Sequence, residues 1–355
     1  MRRILPLFTS AGRYIIVNNN KDRIKLAHGS GGGMMADLIQ DVILRYLDAP
    51  ELANLDDAAE LVIPHNRIAF STDTFVVKPI FFPGGDIGSL AVSGTVNDIL
   101  MKGARPLFLS LGLVLEEGFL IHDLRTILQS IKQACDYAGV KVVTGDTKVV
   151  GKGDLDGICI NTSGIGSILP GVDVSGSYAK TGDSVIVSGD IGAHGIAVMV
   201  KRNGLHLKGD IKSDAKPLTG EVLPLLERYA DSIHVLRDPT RGGVAATLNE
   251  IADSSGVRIY LDESAIPVND WVKSVCELLG FDPLYLPCEG RFLVFVDSSA
   301  SVEVMSFMRD TCGCHDVSVI GTVEGESSGE VLLRTISGGV RILDMPVGEL
   351  LPRIC

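Results

Sequence analysis

The sequence predicts an α+β protein of two domains. Helical and strand patterns are mixed, without the regular strand–helix alternation of a doubly wound sheet. A pattern of strand, glycine-rich loop and helix occurs in both halves, and 355 residues are enough for two packed cores. Residues 170–182 have the composition of a linker. We therefore expect a first domain over residues 24–169 and a second over residues 170–345.

The composition limits the classes of function. A net charge of −12 argues against nucleic acid as the main partner. No apolar run reaches the length that a membrane-spanning helix needs. The seven cysteines are scattered and odd in number, which is typical of a reduced cytosolic protein. Residues 1–23 are expected to be an extension, disordered or without a catalytic role, rather than a signal peptide.

The first predicted element pair is a short strand from Ile24 followed by a glycine loop and a helix. The loop is His28-Gly29-Ser30-Gly31-Gly32, and apolar residues then recur with helical spacing over residues 34–47. Backbone N–H groups before a helix can bind phosphate, but a flexible connector fits this loop equally well. The chain has no Walker motif, so a nucleotide held here would need another apparatus.

Acidic residues recur around the first predicted strands and helices. Asp56-Asp57 precedes a strand over residues 68–71, and Asp73 follows that strand. An Asn97-Asp98 pair interrupts an otherwise apolar helix predicted over residues 87–102. Because an amide and a carboxylate are costly to bury without partners, a cation partner and a capping or surface role both remain open.

The rest of the first half is predicted as strand, helix, strand, strand. The segments are residues 106–115, 122–138, 140–143 and 157–168. The third of these runs into Thr144-Gly145-Asp146-Thr147-Lys148, which would place a carboxylate and an ammonium group at a strand end. Carboxylate oxygens are the ligands that Mg²⁺ prefers.

The second half has two further glycine-rich loops that open helices, at residues 189–195 and 237–243. Glu289 stands at a turn before a strand predicted over residues 292–296, either as a turn residue or as a buried general base. The remaining predicted strands and helices are residues 184–188, a helix from Pro217, 244–254, 269–280, 301–311, 316–323 and 331–336.

The chain ends on a thiol, Leu351-Pro352-Arg353-Ile354-Cys355. Residues 346–355 form a predicted mobile tail, and fully extended it would span roughly 33–36 Å. A swinging nucleophile that carries a substrate and a frayed end are both compatible with this tail alone.

Seven segments together resemble the HypE family of hydrogenase maturation proteins. That family is part of the superfamily of aminoimidazole ribonucleotide synthetase, formylglycinamidine synthetase, thiamine-monophosphate kinase and selenophosphate synthetase. The resemblance covers the chain from about residue 24 to the end. The seven segments in this order are more specific to the family than any single motif. The segments are residues 28–32, 56–59, 81–88, 94–98, 143–150, 238–243 and 352–355.

The resemblance implies a PurM-like architecture, with a first domain that pairs with its twin in a homodimer. It also implies a carbamoyl dehydratase that uses ATP and Mg²⁺. In that family a carbamoyltransferase, HypF, loads the terminal thiol, and ATP converts the thiocarboxamide to a thiocyanate. The cyano group then passes to iron on the HypC–HypD complex, on the way to a nickel–iron hydrogenase.

The residues acquire roles from that resemblance. Cys355 would carry the substrate, Glu289 would be the first choice of base with Asp98 as the second, and Lys148 would balance charge on the transferred phosphoryl group. The loop of His28, Gly29, Ser30, Gly31 and Gly32, with Asp73 and Asp146, would bind the nucleotide. The carboxylates expected around Mg²⁺ are Asp56, Asp57, Asp73, Asp98 and Asp146.

Two other functions compete with this one. Another member of the superfamily, such as a small-molecule kinase or a selenophosphate synthetase, would have a related site. The latter enzymes use a reactive cysteine near the N-terminus, and the first cysteine here is Cys135. A non-catalytic thiol carrier would need the tail but not the set of carboxylates.

Overall fold

A computed structural model of the protein describes residues 23–30, 33–47, 49–53, 61–64, 67–205, 209, 211–326, 329–346, 351 and 354–355. Asp56, Asp57, Gly31 and Gly32, and all but the last residue of the predicted extension over residues 1–23, lie outside them. The α-helices of this part are α1 (Gly33–Leu38), α2 (Pro50–Ala53), α3 (Ile87–Met101), α4 (Ile121–Ala138), α5 (Ala193–Arg202), α6 (Thr219–Tyr229), α7 (Gly243–Ser255), α8 (Asp270–Leu279) and α9 (Ser301–Asp310). The strands are β1 (Ile68–Phe75), β2 (Phe81–Phe82), β3 (Gly85–Asp86), β4 (Ala104–Glu116), β5 (Lys141–Val150), β6 (Ile158–Ile168), β7 (Asp183–Val187), β8 (Ile233–Arg237), β9 (Val257–Asp262), β10 (Leu293–Asp297), β11 (Ser318–Glu326), β12 (Glu330–Arg334) and β13 (Val340–Ile342).

The first half is a sheet in the order β1-β6-β4-β5, with helices on one face. Only β4 and β5 run parallel, and α4 connects them. The apolar side chains of β4 alternate with smaller ones, so that Leu109, Leu111, Leu113 and Leu115 are buried in the same core as α3 and α4. This arrangement confirms the α+β class.

The opposite face of that sheet is largely uncovered in the described chain. Phe70 is 66% exposed and Ile68 is 48% exposed. Phe70 pairs with Ile165, and Ile165 pairs with Phe108, so an apolar row crosses three strands. We call the face that carries this row the open face.

The prediction that residues 144–148 lie at a strand end is wrong. They lie in the middle of β5, which runs to Val150. The polar residues suggested a loop, but they belong to a strand whose sheet, in the described part of the chain, is covered by helices on one face only, so the other face can carry polar side chains. Thr147 is buried on that side, while Asp146 and Lys148 are exposed.

The beginning of the described chain also differs from the prediction. Arg23 forms only an isolated bridge with Leu120, and Leu26–Gly29 is a 3₁₀-helix instead of a strand. The predicted helix over residues 34–47 is α1 followed by a π-helical segment, Ile39–Ile43.

The second half is a sheet in the order β13-β12-β9-β11-β7-β10-β8. Strands β8, β9 and β13 were not predicted from the sequence. Its core is built from residues that are completely buried, among them Val185, Val235 and Phe295. Further 3₁₀-helices are Ala230–Ser232, Glu263–Ala265 and Pro283–Tyr285. In the part of the chain that the structure describes, no helix is long and apolar enough to cross a membrane.

Helix α3 joins the two halves. The carboxylate of Asp86 caps its first turn by accepting hydrogen bonds from Gly88 and Ser89. Asn97, on its last turns, is 1% exposed and reaches the second half. Its amide nitrogen donates to the carbonyls of Lys216 and Glu289 at 3.1 and 3.2 Å. The Asn97 oxygen accepts from the Leu218 N–H at 2.9 Å. Backbone groups therefore satisfy this buried amide.

Candidate active site

A cleft of about 490 Å³ lies between the two halves, beside β1 and α3. Polar and charged residues from both halves line most of it, and the chain terminus lies inside. The lining residues are Phe70, Ser71, Asp73, Thr74, Phe75, Gly94, Asp98, Met101, Lys102, Ser175, Gly176, Leu236, Arg237, Asp238, Thr240, Arg241, Glu289 and Cys355.

The end of the chain lies in this cleft, where Cys355 is a lining residue. Ile354 is 3% exposed and packs in the main core, and its carbonyl oxygen lies 3.0 Å from Nε2 of His194. Cys355 is half-buried. Burial and the neighbouring Glu289 raise the pKa of the Cys355 thiol to about 12, although Arg241 opposes that shift. At neutral pH the docked cysteine is therefore a protonated thiol.

Glu289 lies at the bottom of the cleft and is 3% exposed. Its backbone is held on two sides, because its N–H donates to Asp214 at 3.3 Å and its carbonyl accepts from Asn97. Burial, followed by the charges of Asp238 and Asp214, raises the pKa of the Glu289 carboxyl well above its usual range. Among the described residues, its Oε1 atom has no hydrogen-bond partner. A carboxyl in this state is suited to proton transfer.

Glycine at position 290 allows this turn to form. A Cβ atom there would lie 1.8 Å from the carbonyl oxygen of Asp214, so no other residue fits without a backbone shift. The Cys288 N–H donates to the Pro239 carbonyl at 2.9 Å. This bond ties the turn that carries Glu289 to the glycine loop of residues 237–243.

Asp73 and Asp98 are the two predicted metal ligands that the structure brings together. Asp73 lies on β1 and Asp98 on α3, and Ser71 donates to Asp98 at 2.6 Å. Burial, together with the charge and a hydrogen bond of Asp98, raises the pKa of Asp73 to about 6. A divalent cation between the two carboxylates would relieve their repulsion. No three His, Cys, Asp or Glu side chains of the described residues lie close enough to form a complete metal site.

Asp238 and Arg241 are further cleft residues that were not among the predicted site residues. Asp238 is 8% exposed, and burial with the charge of Asp98 raises its pKa to about 7. Arg241 is exposed, and its charge lowers the pKa values of Glu289, Asp73 and Cys355. Their signal in the sequence is the glycine-rich loop of residues 237–243, which carries charges of both signs.

The remaining predicted nucleotide residues lie elsewhere in the same chain. Asp146 and Lys148 are on β5, the strand at the opposite edge of the sheet from β1. Their register partners on β4, Gly112 and Val114, place both side chains on the open face. His28, Gly29 and Ser30 pack beside β5, where a Cβ on Gly29 would lie 2.7 Å from the Val149 nitrogen. We call these residues the β5 group.

Comparison with known proteins places this chain in a family. The family described as AIR synthase related protein, N-terminal domain, matches residues 55–168, and the corresponding C-terminal domain matches residues 180–334. The carbamoyl dehydratase HypE of Azotobacter vinelandii is 45% identical over 332 residues, which are 94% of this chain and 97% of that protein. The chain belongs to the HypE family.

Solved HypE structures have the same fold. A HypE in complex with ATP has a TM-score of 0.90 and 44% identity, covering 93% of this chain and 99% of that one. The HypE of a HypE–HypF complex has a TM-score of 0.76 and 46% identity, covering 87% of this chain and 99% of that one. These likenesses confirm the PurM-like, two-domain fold class.

Proposed function

We propose that this protein is an ATP-dependent carbamoyl dehydratase of hydrogenase maturation, and that Cys355 carries the substrate. The observation that carries the proposal is the position of the terminal thiol. It lies in a cleft with a deeply buried carboxyl, Glu289, and a pair of close carboxylates, Asp73 and Asp98. The HypE family membership and the HypE complex with ATP support the same activity.

The proposed reaction removes water from a thiocarboxamide on Cys355. The carboxamide oxygen attacks the terminal phosphorus of ATP, and ADP leaves. The resulting imidate phosphate, S–C(=NH)–OPO₃²⁻, then loses phosphate as the C≡N bond forms. Two N–H protons leave the nitrogen; one ends on the released phosphate and the other is taken up by a base. The sum is thiocarboxamide plus ATP giving thiocyanate, ADP, hydrogen phosphate and one proton. Phosphoryl transfer of this kind depends mainly on positioning and charge neutralisation.

Glu289 is the proposed acceptor of one of these protons. Its carboxyl faces the same cleft as the terminal thiol, and its raised pKa makes the ionised form a strong base. Arg241 supports the ionised form because its positive charge lowers that pKa. Asp98 is the second candidate base. Glu289 is almost completely buried, which limits the access of water that would otherwise hydrolyse the imidate phosphate.

Asp73 and Asp98 would hold Mg²⁺, together with Asp56 and Asp57, which lie outside the described residues. When bound, Mg²⁺ neutralises charge on the phosphates. Its removal by a chelator should stop ATP turnover while leaving a carbamoyl group on Cys355. The mass of the C-terminal peptide reports the carbamoyl group, and the release of ADP and phosphate reports the turnover.

A second copy of the chain is the proposed cover of the open face. Phe70, Ile165 and Phe108 would be buried there, as expected of the interface of a homodimer. The β5 group would then lie at the contact between copies, and Asp146, Lys148 and the loop of residues 28–32 would complete a nucleotide site between them. Phe108→Asp, at a position that lies on the open face but does not line the cleft, should give a monomer in sedimentation experiments and lower the affinity for ATP.

The proposed partners are the proteins that would load a group onto Cys355 and accept the product from it. HypF would load the carbamoyl group, as the HypE–HypF complex of relatives supports, and HypC–HypD would accept the cyano group. All seven cysteines are free thiols, which fits a cytosolic protein.

Intact mass after two incubations tests this function. After HypF, carbamoyl phosphate and ATP, we expect one carbamoyl group on the C-terminal peptide. After Mg²⁺ and ATP alone, that peptide should lose one water. No adduct, or an adduct on another cysteine, would favour a small-molecule kinase of the same superfamily. A stable adduct without ATP turnover would favour a thiol carrier.

A further inference from the structure

His194 contacts the docked tail without belonging to the carboxylate cleft. It lies in the first turn of α5 and is completely buried. Both ring nitrogens have partners, since Nδ1 lies 2.8 Å from the Ser213 hydroxyl and Nε2 lies 3.0 Å from the Ile354 carbonyl oxygen. These two partners satisfy the hydrogen-bonding groups of the buried imidazole. One of the partners is the backbone of Ile354, the residue next to Cys355.

The neighbours of His194 determine which nitrogen carries the hydrogen. The Ser213 oxygen already accepts from the Ala215 N–H at 3.0 Å, so its own hydrogen can be donated to Nδ1. The Ile354 carbonyl can only accept, so Nε2 must donate. Burial lowers the pKa of His194, which keeps the ring neutral. With the tail docked, the Ser213 hydroxyl and the Ile354 carbonyl together are satisfied by the tautomer that carries its hydrogen on Nε2.

The Ile354 side chain is held in the same place. It is 3% exposed and belongs to a core cluster that includes Phe82. The Phe82 ring meets the imidazole edge to face, with centroids 5.4 Å apart and planes at 88°. Phe82 therefore fixes the plane of the imidazole, and with it the direction of the N–H that points to Ile354.

We infer that His194 is the positioning residue that holds the C-terminal cysteine in the cleft, through the backbone of Ile354. The inference rests on the carrier role of Cys355 proposed above. The hydrogen bond from His194 goes to the backbone carbonyl of Ile354, one residue before the thiol. It therefore does not depend on the group that the Cys355 sulfur carries. A free, carbamoylated or cyanated cysteine would be held equally, so the bond promotes docking without favouring one step of the chemistry.

The first test measures how well docking protects Cys355 from a maleimide, with no partner and no ATP present. Alkylation of the C-terminal peptide is followed by mass, which separates Cys355 from the other cysteines. We expect His194→Ala to accelerate this alkylation roughly tenfold, equivalent to about 1.4 kcal/mol of docking. His194→Gln, which keeps an N–H near the Nε2 position, should recover part of the protection.

A matched control separates docking from general loosening of the second domain. His234 is also partly buried there, where it pairs with Asp183 at 2.9 Å instead of with the tail. His234→Gln should leave Cys355 protection unchanged. Equal alkylation rates in wild type and His194→Ala, or equal acceleration in His194→Ala and His234→Gln, would overturn the inference.

Imidazole nitrogen NMR gives a second readout that does not need a substitution at position 194. In the full chain the His194 Nε2–H should be detected as a slowly exchanging donor. Deleting Ile354 and Cys355 should make that hydrogen exchange quickly, and an unchanged signal would overturn the inference.

These outcomes are independent of the carrier hypothesis, because neither measurement uses a carbamoyl group. If protection of Cys355 depends on His194 but no adduct forms with HypF, the positioning role of His194 is retained and the proposed function fails. When Cys355 already carries the carbamoyl group, His194→Ala should slow dehydration because a smaller fraction of the tails is docked. The pH dependence of the dehydration rate should stay unchanged, since His194 exchanges no proton.

Discussion

The two halves contribute to the cleft in different ways. The first half contributes Asp73 and Asp98 from a strand and a long helix that are fixed by its core. The second half contributes Asp238, Arg241 and Glu289 from glycine-containing turns, and the terminal cysteine from a tail. Two carboxylates that hold one metal ion need a fixed distance between them. A base and a carrier thiol, by contrast, must approach a substrate that enters and leaves.

Removing the Cys355 thiol should have the largest effect of any change to the contribution of the second half. Cys355→Ala should keep the fold and the ATP site but abolish cyano-group formation, because the substrate has no carrier. Mass of the C-terminal peptide and hydrogenase maturation in cells would measure this. Cys159→Ala, at a half-buried cysteine, is the matched control. Normal maturation in the Cys355 variant would refute the carrier role.

Glu289→Gln should separate loading from dehydration. The amide retains the shape of the side chain but cannot accept the proton, so we expect dehydration to slow about 100- to 10,000-fold while carbamoylation proceeds. Glu324→Gln, at an exposed position of β11, should have no effect. Full thiocyanate yield from the Glu289 variant would assign the base to another residue, with Asp98 next.

Asn97→Ala tests how firmly the two halves are joined. It leaves the Lys216 carbonyl, the Glu289 carbonyl and the Leu218 N–H without their partner, and we expect a loss of about 1–3 kcal/mol in the free energy of unfolding. Chemical denaturation measures this, with the exposed Asn203→Ala as the control. An unchanged stability would mean that water replaces the amide.

The effect with the least consequence at neutral pH is a dependence of tail docking on pH. The docked Cys355 thiol has a pKa of about 12, above its ordinary value of 9.0, so docking favours the protonated form. The stabilisation is complete below pH 9 and is lost as the pH rises from 9 towards 12. Thiolate absorbance of wild type minus that of Cys355→Ala would follow this release. A Cys355 titration at the ordinary pKa would indicate an undocked tail.

Part of the fold and of the site was predictable from local sequence. The α3 and α4 helices were predicted to within one residue at each end. In α4 apolar residues repeat with helical spacing, whereas α3 is apolar on nearly all sides and was recognised from the capping residue Asp86 before it. Strand β5 was cut short at Val143 because its polar edge residues resemble a loop. Strand β8 was missed because its five residues are too short a run to show a clear period. Strand β9 was missed although its buried residues alternate, because it directly follows helix α7 without a proline between them.

The sequence by itself determined the set of chemical groups: a terminal thiol, paired acids, glycine turns and Glu289. These depend on residue type and order along the chain. Only the tertiary structure decided which of them meet, because contacts between residues as far apart as Asn97 and Glu289 depend on how the two cores pack. It separated the β5 group from Asp73 and Asp98, added Asp238 and Arg241, and placed His194 against Ile354. Local patterns contain no information on those distances, which is the physical reason that they had to be observed.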